Sequence, residues 1–342
     1  MAKLNNIAGA LLIDATAAFL NGGGLKAGED KNQVVPKTFK EKINNRVEEV
    51  PYVSAQSWRR WLRNTTNEES GWQPSELRAI GKSEGKESTN KIATELNPID
   101  FPEDDLFGYM KVGKGEEETI QRTSPFKTSI LKGIRNMRAF TVDEAFVHLK
   151  EGTPLPFSTR FYSTHLEGFF NLEYYRLGIY DNLGSRQELS KVLVEKHKSK
   201  FNETNLYGKN FKRYELKNAE LIRKKHASGL LKGLAFLRGG AKQASFAADV
   251  TPKVLILAGM ESANPVFNNL FSGTGEKPAL NIDSIKQIAI DYKSKLATPI
   301  YIGIRTGYLE NEEAINALGT GFIIDSPIGI VTQFNKKYLS NG

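Results

Sequence analysis

The segment Asn6-Ile7-Ala8-Gly9-Ala10-Leu11-Leu12-Ile13-Asp14 constrains this chain more than any other. With a side-chain period of two, Ile7, Leu11 and Ile13 share one face, and the small residues Ala8 and Ala10 share the other. That pattern predicts a buried strand. A face of small side chains lets another chain or a ligand approach closely. A secretory signal is the competing reading, but Asp14 ends the apolar run, and only Lys3 supplies a basic start. No other run approaches the length needed to span a bilayer.

The rest of the chain alternates elements with polar excursions. A helix is predicted from Ser54, its N-cap, to about Asn64, with Pro51 just upstream. Arg122–Leu131 and the aromatic run Gly168–Tyr180 read as strands. Residues 218–237 read as an amphipathic helix with Ala219, Ile222, Leu230, Leu234 and Leu237 on one side. Val254–Ala258 is a short buried strand, Asp283–Leu296 a further helix, and Ile300, Ile302 and Ile304 alternate along a last strand. Residues 20–50 read as a loop, 65–104 as a polar acidic insertion, and 132–167 as an excursion. The order strand, helix, strand, strand, helix, strand is that of the ferredoxin-like and RRM folds, an α+β class.

Charge is polarised along the chain. Residues 186–242 hold 15 Lys and Arg against 5 Asp and Glu, a balance of +10, and residues 64–118 hold 6 basic against 13 acidic, a balance of −7. A basic region of this size suits a polyanion partner. The opposite signs suggest head-to-tail pairing between copies. There is no cysteine in the 342 residues, which excludes disulfides and thiolate metal sites and fits a cytoplasmic protein.

Catalytic patterns are missing. The four histidines never fall at metal-ligand spacing, and no Walker loop or nucleophile elbow appears. A carboxylate nuclease would need some of Asp14, Glu29, Asp30, Asp104 and Asp105 to converge on Mg²⁺. No cofactor and no metal is expected.

Nucleic-acid-binding patterns are present. Along the helix from Ser54, Trp58 and Leu62 share a face with Ala55, while Gln56, Arg59 and Arg63 form a polar stripe beside Arg60. Guanidinium groups next to a helix N-terminus suit phosphates, and the same spacing serves equally for a solvated face. Leu237-Arg238-Gly239-Gly240-Ala241-Lys242-Gln243 pairs two glycines, which permit close backbone approach, with flanking cations; a helix C-cap and turn explains the same letters. The excursion interleaves Arg135, Arg138 and Arg160 with Phe140, Phe157, Phe161 and Tyr162, as in single-strand binding surfaces or in a hairpin packed on its own aromatics.

Several of these blocks, in this order, resemble the DevR-type backbone subunit (the Cas-seven family) of type I CRISPR effector complexes, in the I-B branch. They are Val53–Leu62, Asp105–Met110, Arg122–Pro125, Ala139–Glu144 and Gly239–Gln243, covering most of the chain between residues 5 and 260. The resemblance implies an RRM-like palm (about 1–20, 105–131 and 168–330), a fingers and web insertion (21–104, with the helix 54–64) and a thumb hairpin (132–167). It implies copies that polymerise along a guide crRNA beside other Cascade subunits and leave bases free to pair with target DNA. Ser54, Gln56, Arg59, Arg60 and Arg63, with Arg238, Gly239, Gly240, Lys242 and Gln243, would hold the guide backbone. Tyr109 and Met110 would lie near displaced bases, and Phe140 and Thr141 at the thumb tip. Type III relatives cut RNA with a loop aspartate, for which Asp30 is the candidate here, and the DevR name carries the further alternative of a DNA-binding autoregulator.

Overall fold

A computed structural model describes residues 2–24, 32–43, 45–80, 91–113, 118–134, 139–147, 152, 155–207, 210–273 and 276–340. Its central strand is the predicted one, extended: β1 runs Asn6–Ala18. It is followed by helix α1 (Ala55–Ser70), the short strands β2 (Phe126–Thr128) and β3 (Leu131–Gly133), and the long strand β4 (Leu155–Leu172). Helix α2 (Ala219–Ala235) and strand β5 (Val254–Met260) complete the set. β1 lies antiparallel between β4 (Ile7 opposite Leu172) and β5 (Ile7 opposite Gly259), and β2 and β3 add to the far side of β4. The spatial order β5–β1–β4–β2/β3, with one helix after β1 and one after β4, is ferredoxin-like.

The sheet grows at both ends. Ile300–Ile304 pairs with β5, and Phe322–Asp325 adds parallel to it; Arg46–Val53 pairs with β3 and forms a hairpin with Thr38–Ile43. Sequence pattern alone reads residues 20–50 as a loop. Its apolar contacts are few and irregularly spaced (Val50 opposite Phe39, and Phe39 edge-on to Tyr52), while Glu49 bonds to Thr38 and Arg160, so no regular hydrophobic period announces it.

Two predicted strands change sheets midway. The stretch 122–131 splits where Pro125 lacks an amide donor. Ile120–Arg122 joins a second, six-stranded sheet, while β2 and β3 stay in the first. Gly168–Tyr180 likewise divides into the end of β4, a 3₁₀ turn at Tyr174–Arg176, and Ile179–Leu183 in the second sheet. The helix expected to stop near Asn64 continues to Ser70 and closes on a left-handed Gly71.

The two faces of β1 serve different cores. Ile7, Leu11 and Ile13 pack with Trp58 and Leu62 of α1 and with Leu230 and Leu234 of α2. Each such buried side chain contributes about 1.5–3 kcal/mol. The helices approach closely because Gly233 has no side chain: a Cβ there would lie 2.9 Å from Thr66 Cα. The small face is not open. Ala8, Ala10 and Leu12 are covered by Phe267, Leu270, Ile285, Leu309 and Ile315 of the chain's own C-terminal segment. The close approach expected of another chain or a ligand is therefore made from within.

A buried ionic hub ties the two sheets to α2. Arg122 is 2% exposed and uses all of its guanidinium donors. Nε donates to Asp105 O (3.2 Å), Nη1 to Ile179 O (2.9 Å) and Glu188 Oε2 (2.7 Å), and Nη2 to Asp105 Oδ1 and Arg176 O (3.2 Å). The other Asp105 oxygen accepts from the Gly178 amide at 3.1 Å and lies 2.8 Å from His226 Nδ1. Burial opposes ionisation of Asp105, but the Arg122 charge and the His226 contact outweigh it and hold the carboxyl below the ordinary range. A carboxyl with a lowered folded pKa stabilises the fold above its unfolded value, about pH 3.9, and the gain disappears as pH falls through the folded value. Arg122→Met should cost about 3–5 kcal/mol in urea unfolding, because it strands a buried carboxylate. The same variant should flatten the acid limb of the stability–pH curve below about pH 4.

Candidate nucleic-acid interface

Four segments meet where β1 ends. Asn21, just past the strand, clasps the start of α1: its Oδ1 accepts from the Ser54 amide and its Nδ2 donates to Ser57 Oγ, both at 3.1 Å. Ser54 caps the helix by accepting from the Ser57 amide at 3.3 Å. The loop after α2 closes on the same place, the Ala241 amide donating to Leu20 O at 3.0 Å. From β4, midway along its hairpin with Ala139–Val147, Thr159 Oγ1 accepts from Lys242 Nζ at 2.7 Å.

The glycine pair makes this closure possible. Gly239 and Gly240 hold φ of +156° and +109°, backbone that side chains other than glycine adopt only with strain. A Cβ on Gly239 would run into the Trp61 ring, and one on Gly240 would lie 2.8 Å from Leu20 Cδ2. The loop backbone thus lies flat on α1. Gln243 folds back to donate to the Gly239 and Ala248 carbonyls, so it shapes the loop from inside. Phe161 packs against Phe246 and Phe19 against Phe246, completing an aromatic floor.

The arginines of α1 and of the loop packed on it divide into two kinds. Arg63 is held bidentate by Glu103 (2.8 and 2.7 Å), and Arg238 bridges to Glu68 and Glu69, both at 2.7 Å. Arg59 meets no carboxylate among the described residues. It donates to Phe126 O (2.5 Å), Phe107 O (3.1 Å) and Ser124 Oγ (2.8 Å), and burial lowers its pKa. Arg60 is exposed and makes no ion pair among the described residues. Gln56, Ser57, Arg59, Arg60, Trp61, Arg63, Phe107 and Gly108 line an open cleft of about 490 Å³. No acidic residue stands in the first turn of α1, so the positive end of its dipole is uncompensated. Two cations without a carboxylate partner among the described residues, beside such a helix end, offer the charge and donors that an extended anion requires.

The remaining sequence candidates lie elsewhere. Tyr109 is 8% exposed and donates to Glu188 O at 2.5 Å, at the edge of the Arg122 hub; Met110, next along the strand, is 54% exposed. Alternation separates two residues that the sequence groups together. Phe140 lies under Arg160, whose Cζ is 4.1 Å from the ring centroid, and Thr141 is exposed on the same hairpin strand. Asp104 and Asp105, candidate metal ligands, are fully buried, Asp104 in hydrogen bonds to Ser75 and Asn97. Asp30, Glu29, Arg135 and Arg138 lie outside the described residues. Asn21, Ser57, Trp61 and Thr159 were not legible as site residues; only the run Phe19-Leu20-Asn21 before three glycines hints at a strand end reaching a turn.

This strand order and helix placement put the chain in the ferredoxin-like, RRM-type class. A family model described as CRISPR-associated negative auto-regulator DevR/Csa2 matches residues 28–277. The chain belongs to that family. Two solved structures share its fold at 12% identity: a "CRISPR RNA-guided surveillance complex" chain (TM-score 0.53, covering 97% of this chain and 98% of that one) and a "CRISPR RNA-guided surveillance complex, pre-nicking" chain (TM-score 0.55, 97% and 100%). No curated protein sequence matches the chain.

Gly239→Ala should cost about 1–3 kcal/mol in urea unfolding. In a double-mutant cycle with Trp61→Ala the two changes should be non-additive, because removing the ring relieves the clash; additive costs would separate the loop from the helix.

Proposed function

We propose that this chain is a non-catalytic backbone subunit of a CRISPR effector (Cascade) complex of the I-B branch. It polymerises head to tail along a guide crRNA, contacts other Cascade subunits, and presents the guide bases for pairing with target DNA. The observation that carries this reading is the cleft on α1, where Arg59 and Arg60 keep charges that no carboxylate of the described chain neutralises. Family membership and the fold shared with surveillance-complex chains support it. The ferredoxin-like sheet and its two helices act as the palm (about 1–20, helix α1, 105–133 and 162–330), the remainder of 21–104 as fingers and web, and the hairpin of Ala139–Val147 with the first part of β4 as the thumb; Phe140 and Thr141, expected at its tip, pair instead with Tyr162 and Phe161 near its base.

Within this reading Ser54, Gln56, Arg59 and Arg60 grip the phosphodiester backbone, and Lys242 adds a cation from the loop. Gly239, Gly240 and Gln243 set the loop that Lys242 rides on. Arg63 and Arg238 act through their carboxylate partners, which fix α1 and the loop in place. Met110 is the exposed member of the Tyr109–Met110 pair and the one available to a base. Specificity then resides in base pairing, as in other RNA-guided effectors.

RNA copurifying with the full chain should be discrete CRISPR RNA on sequencing; random cellular RNA would overturn the proposal. Three phosphate contacts, at Arg59, Arg60 and Lys242, give a slope of about −2 for log affinity against log salt. Arg60→Ala should shrink that slope by about 0.7. The family's description as a negative auto-regulator favours a second reading, a DNA-binding repressor, and a defined operator footprint by the protein alone would select it. Divalent-dependent cleavage of bound RNA, lost in Asp30→Ala, would instead select the nuclease.

A further inference from the structure

The acidic and basic stretches of the sequence behave differently in the fold. The acids are engaged within the chain: Glu68 and Glu69 by Arg238, Glu103 by Arg63, Asp105 by Arg122, and Glu118 by Lys191. Three neighbouring lysines of the basic stretch are among those that are not. Lys196, Lys200 and Lys217 are exposed and form no ion pair among the described residues. Backbone hydrogen bonds gather them around one turn. Lys196 ends a short helix, the Lys200 amide donates to His197 O at 2.8 Å, and the Lys217 amide donates to Lys200 O at 2.9 Å. His197 sits among them, 6% exposed, its Nε2 without a hydrogen bond among the described residues and 3.7 Å from Asp100. Burial first, then Lys200, lowers its pKa against the opposing Asp100, with Lys196 pushing in the same direction as Lys200.

We propose that Lys196, Lys200 and Lys217 form a second polyanion-binding surface, separate from the cleft on α1, that takes the phosphodiester backbone of duplex DNA without reading its sequence. Lysine ammonium groups are mobile point charges that suit phosphates in many registers, whereas bidentate recognition uses arginine. Surfaces for single strands interleave cations with stacking rings. Here the neighbouring rings, Phe201 and Tyr214, are buried, and the exposed Tyr207 lies at the other end of their hairpin. An acidic face of a second copy fits less well, because the described acids between 64 and 118 already hold partners at home. The strip flanks the second sheet, which contributes none of the residues lining the α1 cleft. It stands independently of the guide-RNA reading.

The test uses the full chain with whatever RNA it carries and a combined Lys196→Gln, Lys200→Gln, Lys217→Gln variant. Fluorescence anisotropy measures binding to a random-sequence duplex DNA and, separately, to a single-stranded RNA. Duplex affinity should fall roughly tenfold or more at low salt, and its salt slope should shrink by about 2.7, or about 0.9 per lysine. RNA affinity should hold, and Arg60→Ala should do the converse. The charge-retaining set Lys196→Arg, Lys200→Arg, Lys217→Arg should bind duplex like the parent, which separates charge from any change in folding. Unchanged duplex binding in the glutamine variant overturns the proposal. So does an equal loss of RNA binding, or a loss of self-association in sedimentation without a loss of duplex binding.

Discussion

The guanidinium of Arg122 is the interaction on which the rest of this molecule depends. It sits where two sheets, a short acidic helix (Pro102–Phe107) and α2 converge, and a charge so buried is tolerable only because every donor finds an acceptor. The Asp105 carboxylate is oriented in turn by Gly178 and faces His226. Through that chain of contacts the second sheet is fixed to α2, and α2 is fixed to α1 through the close approach at Gly233. The loop that leaves α2 then reaches Trp61 and Leu20 in one defined position. A buried ionic centre thus sets the geometry of a surface cleft to which it contributes no atom.

How much of this was legible follows from the range of each interaction. β1, the start of α1 and the Ile300–Ile304 strand were readable because their patterns are local: alternation, a capping serine, an apolar period. The sheet changes at Pro125 and after Leu172 were not, since a continuous run of strand-forming residues carries no mark of which sheet it joins. The arginine stripe on α1 illustrates the same limit at the site. Spacing placed Arg59 and Arg63 on one face, yet one meets only carbonyl and hydroxyl oxygens and the other a carboxylate 40 positions away in the chain. Which arginine keeps its charge for a ligand is decided by long-range partners that periodicity does not encode.

The acidic insertion makes a related point about composition. A balance of −7 over 64–118 suggests an exposed surface waiting for a basic one. In the fold, Glu103, Asp104 and Asp105 are buried, and they meet Arg63, Arg122, Ser75 and Asn97 rather than solvent. Net charge over a window counts formal charges; the field outside the protein depends on the ones left uncompensated. Glu103, Asp104 and Asp105 are therefore missing from the acidic surface that the window's balance implies.

The covered face of β1 finally decides where a nucleic acid can lie. RRM modules stack bases on the open face of their sheet. Here that face carries Ala8 and Ala10, and Phe267, Ile285 and Ile315 have closed over it. The helical face is closed as well, by Trp58, Leu62, Leu230 and Leu234. A sheet sealed on both sides leaves its strand ends and the helix N-terminus that opens beside them. Asn21, Ser54, Gly239 and Lys242 all gather at that end, so the cleft on α1 lies where the fold still presents backbone and cations to the outside. The small residues in β1 let the chain's own C-terminal segment occupy the surface that other members of this fold class offer to RNA, which leaves the rim for the guide in the proposed reading.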